Sequence, residues 1–536
     1  MFLHRWWRTL FAAVLLSAFG LGPVAATPVA EAEGAIVATD AGPVQGLVFD
    51  RYRLFQGIPF AAPPVGDLRW RSPQPVTPWS EPRDATAPGN RCAQAGDPFN
   101  GPASETEDCL YLNVTTPRTA STGDRKPVMV WLHGGGFVGG AGSDIDASRL
   151  AVDGDVVVVT TNYRLGVFGF FGHPALEGSA GFGLEDQQAA LRWVQRNAAA
   201  FGGDPANVTL FGQSGGGTSI CAHLTSPPAA GLFHRAILQS GGCLGDWPAG
   251  VLPGVPALPA WPAAAEIAAI GAEEAAGIGC ADPATALACL RRLSVAEILP
   301  ASIFFSRPAF GTPVMPADPA QELRDGRFHP LPVLSGHTRD EGTFWAAFQP
   351  QPITVDGYQA LLARAFGEQA ARVAERYPVD AYATPGLAWS AVVGDRVWAC
   401  PTLDGHRLFA ARAPTFVYRF DDRAAPVIFP QPPEIPFGAY HAAELPYLFD
   451  DLGFGMPAAP LNPEQQELSD QMIRYWSNFA ATGDPNGVDL PAWPDFQPDA
   501  SPSYVQRLTP GPAGMDPIDV AAEHQCDFWA GLTPAP

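Results

Sequence analysis

Apolar residues along this chain fall into short blocks separated by glycine and proline, and the blocks change character near Pro127. Before it, Ala35–Ala38, Gln45–Phe49 and Tyr52–Gln56 are brief apolar stretches between turn residues, which predicts small antiparallel strands. After it come unbroken apolar runs at Val128–Leu132, Val156–Thr160, Val208–Phe211, Ala236–Leu238 and Leu331–Ser335. A strand without polar alternation is one buried on both faces. Between two of these runs, Leu184–Ala200 carries Leu184, Ala190, Leu191, Val194 and Ala198 at separations of three, four and seven, the spacing of one helix face. Such strands alternating with helices predict an α/β fold with a large, mostly parallel central sheet flanked by helices. Residues 244–265, rich in Pro, Ala and Trp, read as loop, and 56 Gly with 57 Pro predict long irregular connections. No repeat and no compositional break divides residues 27–536, which read as one domain.

The first 26 residues follow another logic. His4, Arg5 and Arg8 precede the uncharged apolar run Leu10–Leu21, and Val24-Ala25-Ala26 supplies small residues after it. This is the pattern of a cleaved signal peptide, with cleavage expected after Ala26 and a secreted or periplasmic destination. The run is shorter than the roughly 20 apolar residues that span a bilayer, so no stable membrane span is expected. Eight cysteines, an even number, suit an oxidising compartment. No spacing resembles a zinc site, so no metal is expected. A net charge of −22 repels nucleic acid and anionic membranes, which excludes both as partners. The expected partner is a small molecule.

The chemistry starts at the strand Val208–Phe211, which runs directly into Gly212-Gln213-Ser214-Gly215-Gly216. A serine hydroxyl is a weak nucleophile and needs exposure and an adjacent base. A sharp strand-to-helix turn gives exposure, and only residues without bulk fit at its flanks. Thr218–Leu224 can continue as the helix. Ser214 is therefore the candidate nucleophile. An earlier strand, Val128–Leu132, ends in His133-Gly134-Gly135-Gly136-Phe137. Glycines there let backbone amides of Gly135 and Gly136, joined by that of Gly215, donate to a developing oxyanion.

With these motifs the chain resembles the type B carboxylesterase family, which includes the cholinesterases. The resemblance covers nearly all of residues 27–536. It rests on Phe55-Gln56-Gly57-Ile58-Pro59-Phe60, on Glu107-Asp108-Cys109-Leu110-Tyr111-Leu112-Asn113-Val114 and on Asn162-Tyr163-Arg164-Leu165-Gly166. Leu184-Glu185-Asp186-Gln187 and the run from Phe201-Gly202-Gly203-Asp204-Pro205 to Gly216 complete it. It implies an α/β-hydrolase fold and hydrolysis of carboxylic esters without a cofactor. It also implies roles that spacing alone does not assign. Glu341, in Asp340-Glu341-Gly342, matches the family's acid, with Asp340 the rival. His441, in Gly438-Ala439-Tyr440-His441, matches its base. His133 is expected to support the glycine loop, and His234 to lie in a helix-to-strand connection. The resemblance implies disulfides Cys92–Cys109, Cys280–Cys289 and Cys400–Cys526, and an ion pair between Arg69 and Glu107. Cys221 and Cys243 either pair with each other or are both small buried hydrophobes.

Departures from the family narrow the substrate. Gln213 stands where many members have Glu, and Gly215 where they have Ala. Loss of the acid argues against a cationic substrate, as does the absence of Trp from Ala93–Asp108. The same interval is too short for the lid of interfacial lipases, so soluble or short-chain esters are expected. Phe137, Phe344, Trp345 and Phe348 are candidates to line an apolar pocket, or else ordinary core. The alternatives to an esterase are a non-catalytic binding or adhesion relative, a specialised amidase or detoxifying hydrolase, and a lipase.

Overall fold

The computed structural model describes residues 36–178, 180–512 and 514–532. The expected signal peptide lies outside them. Among the described residues fourteen strands form two sheets: β1 (Ile36–Ala38), β2 (Pro43–Gln45), β3 (Leu47–Val48), β4 (Tyr52–Pro59), β5 (Arg83–Asp84), β6 (Tyr111–Pro117), β7 (Lys126–Leu132), β8 (Val157–Thr161), β9 (Gly203–Gln213), β10 (Arg235–Gln239), β11 (Val333–Thr338), β12 (Thr415–Phe420), β13 (Val505–Leu508) and β14 (Pro517–Ile518). The large sheet runs β14-β13-β12-β11-β10-β9-β7-β8-β6-β4-β3. Pairing is parallel from β8 through β7, β9, β10, β11 and β12 to β13, and antiparallel at both margins. The small sheet is β1-β2-β5.

The apolar runs of the sequence all lie in the parallel block, and alternation along them builds two cores. Val128, Val130 and Leu132 of β7 face one layer, Met129 and Trp131 the other. Val208 and Leu210 of β9 share the first layer and Phe211 the second. Successive side chains of a strand point to opposite faces, so a run apolar at every position feeds both. The helix Phe182–Asn197 covers the first face, and Pro463–Thr482 the second.

The stretch Gln45–Phe49 departs from expectation by dividing between the sheets. A Cβ at Gly46 would fall 2.4 Å from the Leu54 carbonyl oxygen, so a glycine allows the close passage where the chain leaves β2 for β3. Residues 244–265 are irregular up to the start of the helix Ala264–Gly277, apart from isolated bridges of Trp247 with Leu258 and of Ala263 with Phe310. No helix among the described residues is long and apolar enough to cross a membrane.

Strand order positions the chemistry. In parallel sheets, ligand sites gather beyond the carboxyl ends of the strands. Here β7 and β9 are neighbours with Leu132 opposite Gly212, so the glycine loop and the Ser214 turn leave the sheet side by side. β11 leads to Glu341, and the chain beyond β12 brings in His441.

Candidate active site

β9 ends at Gln213 and the helix Gly215–Thr225 begins two residues later, leaving Ser214 alone in the turn at φ 56°. An L residue is rarely found there, and holding one costs on the order of 1–3 kcal/mol. Two ties maintain it: the Ser214 amide donates to the Gln239 carbonyl at 2.9 Å, and the Thr218 amide to the Ser214 carbonyl at 2.8 Å. The flanking glycines are steric necessities. A Cβ on Gly216 would stand 1.9 Å from the Leu132 carbonyl oxygen, and one on Gly212 would stand 2.6 Å from the same atom. Gly215 has room, since its Cβ would meet the amide nitrogens of Phe137 and Gly136 at 3.4 and 3.5 Å. The same distances bring the glycine loop against the first turn of the helix.

In that loop Gly135, Gly136 and Phe137 all have positive φ, at 99°, 58° and 63°. The loop is braced from behind. Val138 and Gly139 amides donate to the Gly135 carbonyl, and Gly166 donates to that of Phe137. The amides of Gly135, Gly136 and Gly215 have no acceptor among the described residues. His133 is stacked on Tyr163 at 4.3 Å, and its Nδ1 lies 2.8 Å from the Gly134 carbonyl oxygen, so Nδ1 must carry the proton. Burial pushes its pKa down to about 3, which keeps the ring neutral. It holds the loop, as expected from the sequence.

Glu341 opens the short helix Glu341–Ala346 after β11 and is 1% exposed. Its Oε2 lies 2.5 Å from His441 Nδ1, and its Oε1 accepts the Thr338 amide at 2.9 Å. Asp340, the rival acid, is engaged elsewhere: Arg423 donates to both its oxygens at 2.8 and 2.6 Å, and the Ala439 amide donates at 3.0 Å. It anchors the segment before His441 and does not touch the imidazole. The other ring nitrogen, Nε2, is 3.2 Å from Gln213 Nε2. An amide NH2 can only donate, so His441 Nε2 is the acceptor and Nδ1 carries the proton toward Glu341. That tautomer suits a general base. The hydrogen bond on Nε2 comes from Gln213, and the Ser214 hydroxyl lies in the same cavity, half-buried.

This cavity, about 300 Å³, collects Ser214, His441, Gly135, Gly136 and Gly215. Phe137, Phe344, Trp345 and Phe348 line it, as their candidacy required. Trp398 packs against the imidazole at 4.8 Å and Trp345 at 5.3 Å. Sequence reasoning did not single out Trp247, Trp398, Phe429 or Arg307, which also line the space. Trp398 belongs to Gly394–Ala399, a stretch of wider π-type turn between the helices Pro385–Val393 and Cys400–Ala410. Phe99 and Asn100 reach the cavity from the loop closed by Cys92–Cys109. No group of three or more His, Cys, Asp or Glu among the described residues is placed to hold a metal ion.

Four disulfides are present: Cys92–Cys109, Cys221–Cys243, Cys280–Cys289 and Cys400–Cys526. The undecided pair is therefore bridged, tying the helix behind Ser214 to the chain after β10. Arg69 grips Glu107 through two hydrogen bonds of 2.7 and 2.5 Å. His234 precedes β10, and its Nδ1 accepts the Val208 amide at 3.1 Å.

Residues 33–529 match the model of the carboxylesterase family. An acylcarnitine hydrolase of Mus musculus is 36% identical over 479 residues, covering 84% of this chain and 82% of that protein. A para-nitrobenzyl esterase of Bacillus subtilis (strain 168) is 35% identical over 487 residues, covering 88% and 94%. A solved PNB esterase structure superposes with a TM-score of 0.75 at 32% identity, over 92% of this chain and all of that one.

Proposed function

Given that the chain belongs to the carboxylesterase family and is a carboxylic ester hydrolase of α/β-hydrolase fold, we propose that Ser214, His441 and Glu341 carry the reaction as nucleophile, general base and orienting acid. The observation that bears most weight is the His441–Glu341 contact of 2.5 Å in the cavity that also holds Ser214. Glu341 fixes the tautomer with the proton on Nδ1 and steadies the imidazolium that forms later. As the ester enters, its approach displaces the Gln213 amide and Nε2 receives the Ser214 proton. The hydroxyl oxygen attacks the carbonyl carbon. The resulting oxyanion is met by the unoccupied amides of Gly135, Gly136 and Gly215, each worth about 2.7–4 kcal/mol in such a site. The alcohol leaves with the proton from His441, and water repeats the cycle on the acyl-enzyme. Because the base must be neutral to start, activity falls in acid.

The apolar walls and modest volume favour small soluble esters over emulsified lipid. Four disulfides fit an oxidising compartment, which supports export through a cleaved segment 1–26. The direct test is labelling with an organophosphonate and then peptide mapping. The label is expected on Ser214, and Ser214→Ala is expected to lower kcat on p-nitrophenyl butyrate by about 10⁴-fold or more. A label on another residue would overturn the assignment. Parallel assays with amides and with triglyceride emulsions separate the esterase from an amidase or lipase.

A further inference from the structure

Four side chains around the cavity can carry charge: His133, Asp144, Arg307 and His441. Three have evident duties. His133 is neutral behind the glycine loop, His441 is held by Glu341, and Asp144 is ion-paired with Arg91. Arg307 has no carboxylate within 4.0 Å among the described residues. Its Nη1 donates to the carbonyls of Pro259 and Ala260, at 2.5 and 3.4 Å, and its guanidinium lies over the Trp247 ring at 5.2 Å. Nε and Nη2 have no acceptor among the described residues. The acid that acts on it through space, Asp246, is itself held by Arg396 at 2.9 Å from both oxygens. Burial pushes the pKa of Arg307 down to about 10, so it remains charged at neutral pH.

One nitrogen suffices to fasten the 259–260 backbone, and a neutral donor would serve as well. What the loop does not need is a full charge with spare donors, set beside an indole on the wall of an apolar chamber. A guanidinium in such a place matches the planar, two-oxygen geometry of a carboxylate. The neutral Gln213 beside the nucleophile adds no opposing negative charge. We propose that Arg307 is a specificity residue that binds a carboxylate borne by the ester, remote from the scissile carbonyl. The favoured substrates are then anionic esters: half-esters of dicarboxylic acids, or esters of carboxylate-bearing alcohols. This rests on Ser214 being the nucleophile.

The test compares two matched pairs on the full chain. p-Nitrophenyl hydrogen suberate against p-nitrophenyl octanoate places the anion on the acyl side. 4-Butyryloxybenzoate against its methyl ester places it on the alcohol side. Arg307→Gln is expected to lower the anionic-to-neutral ratio of kcat/KM by about tenfold or more in one pair, mainly through KM, with Arg307→Lys intermediate. The responding pair identifies the side. An unchanged ratio in both pairs overturns the proposal. Should the Gln variant fail to fold, competition on the wild type decides. Suberate monoamide or 4-hydroxybenzoate inhibiting p-nitrophenyl butyrate hydrolysis more strongly than the neutral octanamide or methyl 4-hydroxybenzoate supports it, and neither doing so refutes it. Failure of the hydrolase reading looks different: the wild type would not turn over p-nitrophenyl butyrate at all, and the proposal would go with it.

Discussion

Two buried side chains beside His441 shape its behaviour without taking part in bond making. Gln213 donates at 3.2 Å to Nε2, the nitrogen that takes the Ser214 proton in the proposed reaction. Being neutral, it gives no extra stability to an imidazolium. Gln213→Glu puts a carboxylate there, and an opposite charge so close favours the protonated ring. The acid limb of the kcat/KM profile is expected to move to higher pH by about one unit, and an unmoved limb would deny the contact. Glu444 is fully buried, with one oxygen taking the Gln239 amide at 3.2 Å and the other without a hydrogen bond. Desolvation first, and the nearby Glu341 charge after it, raise its pKa from 4.5 to about 7. A carboxyl raised in the folded state favours folding while protonated. That advantage is complete below about pH 4.5 and lost progressively as pH rises to about 7. Glu444→Gln should therefore gain on the wild type across this window, to a plateau on the order of 1–3 kcal/mol above it. Melting curves at several pH values check this, and parallel profiles would contradict it.

At the scale of elements, the turn from β9 into the helix Gly215–Thr225 makes an uneven demand on its glycines. Gly216→Ala drives a methyl into the Leu132 carbonyl and is expected to cost more than about 3 kcal/mol or prevent folding. Gly215→Ala meets only ordinary contacts and should fold normally, with helix propensity offering up to about 1 kcal/mol. Thermal denaturation of the two variants separates them. The same element was legible in the sequence because a strand, a tight turn and a helix each leave a local mark. β12 and β13 left none. Arg419 interrupts β12, and its polarity is satisfied by Asp421 at 2.5 Å and by Glu523, over a hundred residues away, at 2.8 Å. A local window cannot see such a partner. His441 likewise lies on a connection with no periodicity of its own, so resemblance alone singled it out, and the Arg423–Asp340 clamp that steadies its approach was not foreseen. Arg307 went unnoticed for the same reason: an arginine in a loop reads as surface until the fold sets it, half-buried, on the cavity wall.

Across the whole molecule, the disulfides divide labour by span. Cys280–Cys289 closes a separation of 9 residues, and Cys400–Cys526 one of 126. Constraining the unfolded chain is worth roughly 2.6 kcal/mol for the first and roughly 5 for the second in the loop-closure account. Replacing Cys400 and Cys526 by Ser should thus lower the denaturant midpoint clearly more than the same change at Cys280 and Cys289. Equal losses would show that strain or residual structure dominates. The longer bridge also secures the wide turn at Gly394–Ala399, where Asp395 takes hydrogen bonds from Tyr377 at 2.7 Å and contacts His524 at 2.7 Å. A π-type turn holds one residue more than an α turn. Excising a single residue there would let the rod continue as ordinary helix with its flanks in place, while the side chains inside the stretch take new directions. Trp398 would swing away from the imidazole while every neighbouring amino acid kept its identity. The selectivity of this chamber is thereby open to change by an insertion or deletion, a route that catalogues of point mutants never sample.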